Sequence, residues 1–251
     1  MSKIAIITGA GRGLGRNAAL NLAAKGIDTI ITYRNSRSEA EAVVAEIEAM
    51  GRKSAAFQLD VADTTQFAGF AEAVREVLAA HWDRLDFDYL LNNAGHGDLV
   101  PFQDVTEAQF DAMFNVHVKG VYFLTQKLLP LMAQGGRIIN YSSGLTRVTF
   151  PGMSAYIAAK GAVETLTVAL ARELGPQGIT VNAVAPGAIE TDFLGGAVRD
   201  MPELNKQFAD MIALGRVCRP DDIGRMLASF LSGDNGWITG QRIEVSGGQV
   251  I

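Results

Sequence analysis

The sequence predicts an α/β fold, a doubly wound parallel sheet of about seven strands with helices on both faces. Two patterns carry that expectation. Short β-branched runs alternate with longer amphipathic runs along all 251 residues, and strand–helix alternation with right-handed crossovers builds a parallel sheet. Most of the strand runs are near-continuously apolar, as strands covered on both faces must be.

The elements follow in chain order. Ile4–Thr8, opening on Ile4-Ala5-Ile6-Ile7, reads as the first strand, and Leu14–Lys25 as the amphipathic helix after it. Asp28–Tyr33, built on Thr29-Ile30-Ile31-Thr32, is the second strand, and the helical spacing resumes over Ser36–Met50. Ser54–Leu59 with Thr64–His81 forms the third pair, and Tyr89–Asn92 with the long helical pattern Thr106–Leu131 the fourth. Arg137–Tyr141, carrying Ile138-Ile139, leads to a helix over Met153–Leu174, and Thr180–Val184 to a helix over Pro220–Leu231. Arg242–Val245 is the last strand. No repeat, low-complexity tract or linker divides residues 1–251, so one domain is expected. One stretch breaks the rhythm. From Ala188 to Ala213, Thr191-Asp192-Phe193-Leu194-Gly195-Gly196 leads into a Met-rich segment at the carboxyl end of the sheet, which makes residues 188–213 a candidate substrate lid.

Composition narrows the function. A net charge of -5 with scattered Lys and Arg leaves no basic footprint for nucleic acid. The single cysteine, Cys218, has no internal disulfide partner, which fits a reducing compartment, and the cytoplasm is the simplest one. Met1–Ala10 runs straight into a strand pattern without a charged leader and cleavage site, and no apolar stretch reaches the ~20 residues of a membrane span, so no targeting or anchoring is expected. Histidines, acids and the cysteine show no ligand spacing, so no catalytic metal is expected.

Two local motifs point to a nucleotide site. The turn Thr8-Gly9-Ala10-Gly11-Arg12-Gly13-Leu14-Gly15 follows a strand and opens a helix, as in a Rossmann-like unit. Its glycines let the backbone approach a pyrophosphate, whose charge meets free N–H groups at the helix N-terminus. Far downstream, Tyr156-Ile157-Ala158-Ala159-Lys160 places a phenol and an ammonium at i and i+4 on one helix face. In that arrangement the ammonium is expected to favour the ionised phenol and so tune it for acid/base work.

The spacing Thr-Gly-x-x-x-Gly-x-Gly resembles the short-chain dehydrogenase/reductase family, in its compact single-domain branch. The likeness extends along nearly the whole chain. Asp60-Val61 resembles the family's adenine-contacting pair, Asn92-Asn93-Ala94-Gly95 its motif after the fourth strand, and Pro186-Gly187 with Ile189 and Thr191 the segment that packs on the nicotinamide. Asn115, Ser143, Tyr156 and Lys160 match its catalytic tetrad in order. The resemblance implies an NAD(P)-dependent oxidoreductase. Ser143 binds the carbonyl oxygen, Tyr156 exchanges the proton, Lys160 also binds the nicotinamide ribose, and Asn115 holds a water linking Lys160 to solvent. Gly9, Arg12, Gly13, Leu14, Gly15, Asn92, Ala94 and Gly95 complete the expected cofactor contacts with Arg34. Ser142 reads as a strand-end residue and His117 as packing, while His96 borders the site and His81 the surface.

Cofactor choice rests on the end of the second strand. An NAD enzyme commonly places Asp or Glu there, but this chain reads Thr32-Tyr33-Arg34-Asn35-Ser36-Arg37. Arg34 and Arg12, with Ser36 or Arg37 as lesser candidates, suit a 2′-phosphate, so NADP(H) is favoured and NAD(H) remains possible.

The substrate is less legible. Gly144 to Met153 and the stretch around Phe193-Leu194 supply mostly apolar walls, which fit a ketone with hydrophobic substituents, while Arg147 leaves room for an anionic group. The chain also resembles 3-oxoacyl carrier-protein reductases, but Gln134 and Gln177 stand where those often carry basic residues. The alternatives are a 3-oxoacyl thioester reductase, a sugar or polyol dehydrogenase and, from another class, a non-catalytic dinucleotide-sensing regulator, which would need no reactive tyrosine. Finally, Thr106–Leu131 and Met153–Leu174 carry apolar residues on more than one face, and family members pair these helices, so a homotetramer is expected.

Overall fold

The computed structural model describes residues 2–251 and contains one seven-stranded sheet, all parallel, in the order β3-β2-β1-β4-β5-β6-β7. The strands are β1 (Ile4–Ile7), β2 (Asp28–Tyr33), β3 (Ser54–Gln58), β4 (Phe87–Asn92), β5 (Met132–Tyr141), β6 (Thr180–Pro186) and β7 (Arg242–Val245). Around them pack α1 (Gly13–Ala24), α2 (Arg37–Ala49), α3 (Phe67–Trp82), α4 (Glu107–Phe114), α5 (Val121–Leu128), α6 (Ser154–Leu174), α7 (Ala197–Asp200), α8 (Pro202–Asp210) and α9 (Pro220–Ser232). The doubly wound sheet expected from the alternation is therefore present, with all seven strands.

Strand pleating sorts side chains to two cores. In β1, Ala5 and Ile7 face one core with Leu22 of α1, Val43 and Ile47 of α2 and Leu227 of α9. Ile4 and Ile6 face the other, with Phe67, Phe70, Val74 and Leu78 of α3, Leu124 and Leu128 of α5 and Leu174 of α6. Burial on both faces explains why this strand has no polar alternation.

Most boundaries shift by a few residues, and three departures from the sequence reading are larger. The expected helix Thr106–Leu131 starts on a capping box between Thr106 and Gln109, then opens into a π-turn over Asn115–Gly120 before α5 resumes. Gly120 passes so close to β3's exit that a Cβ there would lie 2.3 Å from the Val61 carbonyl oxygen, and the widened turn accommodates that crossing. β5 begins at Met132 rather than Arg137, because a register shift between Phe87 and Tyr89 of β4 lets Met132 pair with Phe87 across the unpromising Gly135-Gly136. Residues 188–213, taken from sequence as one irregular stretch, hold a kinked 3₁₀ turn at Phe193–Gly196 and the short helices α7 and α8. Among the described residues no helix is long and apolar enough to cross a membrane.

Candidate active site

The strand order reverses between β1 and β4, and the crevice beyond their carboxyl ends is where such sheets receive ligands. Its two lips are stitched together. Asn93 donates from Nδ2 to the Thr8 carbonyl at 2.8 Å, and the Ala94 amide donates to Thr8 Oγ1 at 2.9 Å. Gly9, at φ +64°, lies so near that a Cβ would sit 2.9 Å from the Ala94 Cα, so this glycine is required by both conformation and space. Asn92 points elsewhere. Its Nδ2 donates to Asn140 Oδ1 at 2.9 Å and to Thr125 Oγ1 at 3.1 Å, fastening β4 to β5 and α5.

Ser143, Tyr156 and Lys160 converge at the carboxyl end of β5. Ser143 lies two residues beyond the strand and accepts from the Leu145 amide at 3.2 Å, which fixes the following turn. Tyr156 and Lys160 sit on the buried face of α6, 7 % and 5 % exposed, with the ammonium 5.6 Å from the phenol ring centroid. Asn115 is the first residue of the π-turn that packs beside them. Two residues on, His117 is buried as packing, its ring meeting the Tyr156 ring edge-on at 5.4 Å and its Nε2 lying 2.7 Å from the His96 carbonyl. Phe193 covers the phenol from the other side, ring centroids 5.5 Å apart.

The electrostatics correct one expectation. The net result at Tyr156 is not an ionised phenol: burial pushes it up to about 12 and outweighs the neighbouring Ser143 hydroxyl, which pulls the other way, while the Lys160 Nζ donates to the Tyr141 carbonyl at 2.6 Å. Desolvation also drives Lys160 down to about 7. Both shifts share one cause, the removal of a charged form from water. A stability signature follows for the protein without ligand. Below pH 7 the buried ammonium is charged in both folded and unfolded states; as pH rises through 7 the folded state sheds the proton while the unfolded chain keeps it to about 10.5. Stability therefore rises with pH, by about 1 kcal/mol between pH 7 and 8, or roughly 2–4 °C in Tm. Thermal melts of the native protein against Lys160→Met measure it: the rise is absent from the variant, and equal slopes in both would refute the assignment.

At the other end of the crevice the residues fit a phosphorylated dinucleotide. The first turn of α1 carries no acidic side chain, so its free N–H groups and dipole face the turn uncompensated. A groove of about 320 Å³ beside it is lined by Gly13, Asn17, Thr191 and Arg219 and also by the carboxylates Glu190, Asp192 and Asp221. Near the end of β2, Arg37 pairs with Glu41 and Arg16 with Glu46, whereas Arg12 and Arg34 form no ion pair among the described residues. Val61 is buried beyond β3, next to half-buried Asp60, while Pro186 ends β6 and leads through Gly187 to Ile189 and Thr191.

Arg147 requires a second correction. It does not await an anion: Glu244 binds it at 2.8 Å, and it donates to backbone carbonyls of Gln249 and Val250. Ser142 is more than a backbone-bonded strand end, since its hydroxyl donates to Glu164, which also receives Thr146 Oγ1 and Arg242 Nε. Glu164, Arg242, Glu244 and Gln249 brace the site without having been singled out from the sequence. Their partners lie up to 102 residues away, and no local spacing announces them.

A crevice of this kind, with a phosphate-fitting turn at one end and a buried Ser-Tyr-Lys cluster at the other, suits a nucleotide-dependent oxidoreductase. Comparison with known proteins places it further: the chain belongs to the short-chain dehydrogenase/reductase family. Residues 9–249 match the family model described as enoyl-(acyl carrier protein) reductase. The 3-oxoacyl-[acyl-carrier-protein] reductase of Staphylococcus aureus is 40% identical over 250 residues, covering 99% of this chain and 98% of its own. Among solved structures, an angucycline C-6 ketoreductase with bound NADP superimposes with a TM-score of 0.93 at 35% identity, over 99% of this chain and 95% of its own. A promiscuous reductase of lugdunomycin biosynthesis, catalysing keto-reduction at C1, gives 0.92 at 36% identity, over 99% and 97%.

Proposed function

We propose that this oxidoreductase reduces a ketone or aldehyde with NADPH, with Tyr156 as the proton donor. The observation that carries the reading is the convergence of a buried Tyr156 phenol with Ser143 and, 5.6 Å from its ring, the Lys160 ammonium; burial raises the phenol and keeps it in its acid form. A neutral phenol is the acid form, and the alkoxide left when a carbonyl accepts hydride is far more basic than a phenolate, so protonation runs downhill. Bound NADPH supplies the hydride. Ser143 donates a hydrogen bond to the carbonyl oxygen as its charge grows, and Tyr156 delivers the proton to that atom. Lys160 holds the ribose edge, and Asn115 completes the exchange path to solvent. Gly9, Gly13, Leu14 and Gly15 receive the pyrophosphate, Arg12 and Arg34 the 2′-phosphate, Asp60 and Val61 the adenine side. Asn92, Ala94, Gly95, Pro186, Gly187, Ile189 and Thr191 frame the ribose and nicotinamide.

With Arg147 neutralised by Glu244, the substrate pocket favours an uncharged, hydrophobic ketone, and residues 188–213 act as its lid through Phe193. The two ketoreductase neighbours support that class. A 3-oxoacyl thioester is the second reading, supported by the Staphylococcus aureus relative. Following NADPH oxidation over a panel of hydrophobic ketones and one 3-oxoacyl thioester, with NADH alongside, tests both. Turnover of neither class sinks the reductase reading.

The proposal extends to a cytoplasmic homotetramer, consistent with a single, buried Cys218. Val168 of α6 is 57% exposed, and Tyr122 and Phe123 of α5 are 45% and 39% exposed, an apolar surplus that a second copy would cover. Val168→Glu is expected to shift the assembly to smaller species, read by light scattering after size exclusion. A native protein that runs as a monomer at micromolar concentration rules the assembly out.

A further inference from the structure

We propose that Gln249 is a positioning residue, a clasp that holds the Ser143 turn and the end of β6 in one register. It rests on the reductase reading above, in which those two segments face the same reacting carbonyl.

Gln249 has two arms. Its side chain reaches the end of β6, where Oε1 accepts from the Ala188 amide at 3.1 Å. Its backbone carbonyl accepts from Arg147 Nη2, and the next carbonyl, of Val250, accepts from Arg147 Nη1 at 2.9 Å. Arg147 closes the turn that starts at Ser143: its amide donates to Gly144 at 3.0 Å, and its Nε is braced by Glu244 at 2.8 Å. Gln249 itself is 8% exposed and anchored by its amide on Ser246 Oγ at 3.2 Å. One buried residue thus ties the serine turn, through Arg147, to the strand end that bears Gly187.

The fit at Gly187 shows how closely the side chain lies on that strand end. A Cβ at 187 would be 2.6 Å from Gln249 Oε1, so the amide occupies the space a larger residue would take. Behind it, Gly144 packs on the Pro186 carbonyl, 3.1 Å from where its Cβ would stand. The two edges are therefore in contact: the β5–β6 ladder, continued by the Ser142 amide donating to the Val184 carbonyl at 2.7 Å, aligns the strands, and the clasp holds the turn beyond them. Ser143 must bind the carbonyl oxygen while β6 sets the face from which hydride arrives, and misplacement by about 1 Å can cost on the order of 100-fold in rate.

The test separates position from stability. Gln249→Leu removes the acceptor while keeping the bulk; Gln249→Glu keeps an acceptor oxygen. The Leu variant is expected to lower kcat for ketone reduction about tenfold with ketone KM nearly unchanged, and to raise the primary isotope effect from deuterated NADPH; the Glu variant returns kcat to within about twofold. Hydrogen exchange on the ligand-free protein gives a readout independent of turnover: the Ala188 and Arg147 amides exchange faster together in Gln249→Leu. Arg147→Gln cuts the other arm, so it too should loosen Ala188, and the double variant should cost no more than the worse single one. If Gln249→Leu does not fold, Arg147→Gln alone decides through Ala188 exchange. Native kcat in the Leu variant, equal damage from Leu and Glu, or unchanged Ala188 exchange in Arg147→Gln overturns the clasp. A native protein that turns over no ketone defeats the reductase reading instead, and the exchange data still judge the clasp.

Discussion

Tyr156→Phe is expected to lower kcat for ketone reduction by about 10³-fold while the Kd for NADPH stays within about twofold, because the substitution deletes the phenolic hydroxyl and leaves the ring. The ring's surroundings are what make this clean. His117 contacts it edge-on at 5.4 Å and Phe193 lies at 5.5 Å, and both contacts involve ring carbons that phenylalanine retains. The phenol hydroxyl contributes no backbone hydrogen bond that folding would miss, so loss of activity is not loss of structure. Stopped-flow measurement of the hydride step and fluorescence titration of NADPH read the two quantities separately. Turnover near the native rate in the variant would transfer the acid role to another group and remove the basis of the reductase reading.

The two halves of the crevice were unequally legible. Thr8 to Gly15 could be read as a phosphate turn because glycine spacing, the preceding strand and the following helix are all local, and the structure shows why Gly9 in particular is needed. Tyr156 and Lys160 could be placed on one face because helix geometry fixes i and i+4. The net shift of the phenol was not readable. It depends on how much water the fold removes and on where the ammonium finds an acceptor, here the Tyr141 carbonyl 19 residues earlier. Arg147 was misread for the same reason. A lone arginine in an apolar strip looks available until the chain brings Glu244 beside it, 97 residues later. The π-turn at Asn115–Gly120 escaped because its helical spacing is nearly that of the flanking helices; the fold places its Gly120 against the Val61 carbonyl.

Arg34→Ala is expected to raise the KM for NADPH about tenfold and that for NADH by less than about twofold. The reasoning starts at the end of β2, where no carboxylate stands to bind a ribose 2′-hydroxyl. Gln58 of β3 donates to the Arg34 carbonyl at 2.9 Å and pins that backbone, while the guanidinium is exposed and free of any ion pair among the described residues. Its neighbours are occupied: Arg37 is taken by Glu41 and Arg16 by Glu46. Arg12, in the glycine turn, likewise forms no ion pair among the described residues, so on the proposed reading a 2′-phosphate would meet two donors. A hydrogen bond to a charged group contributes about 1.5–3 kcal/mol, and solvent access at Arg34 places the effect toward the lower end, near tenfold. Screening supplies an independent check, since added salt should weaken NADPH binding more than NADH binding in the native protein and erase most of that difference in Arg34→Ala. Equal rises in both Michaelis constants would mean that Arg34 shapes the turn without recognising the phosphate, and Arg12→Ala, measured in parallel, would then show whether the preference rests on the glycine turn alone.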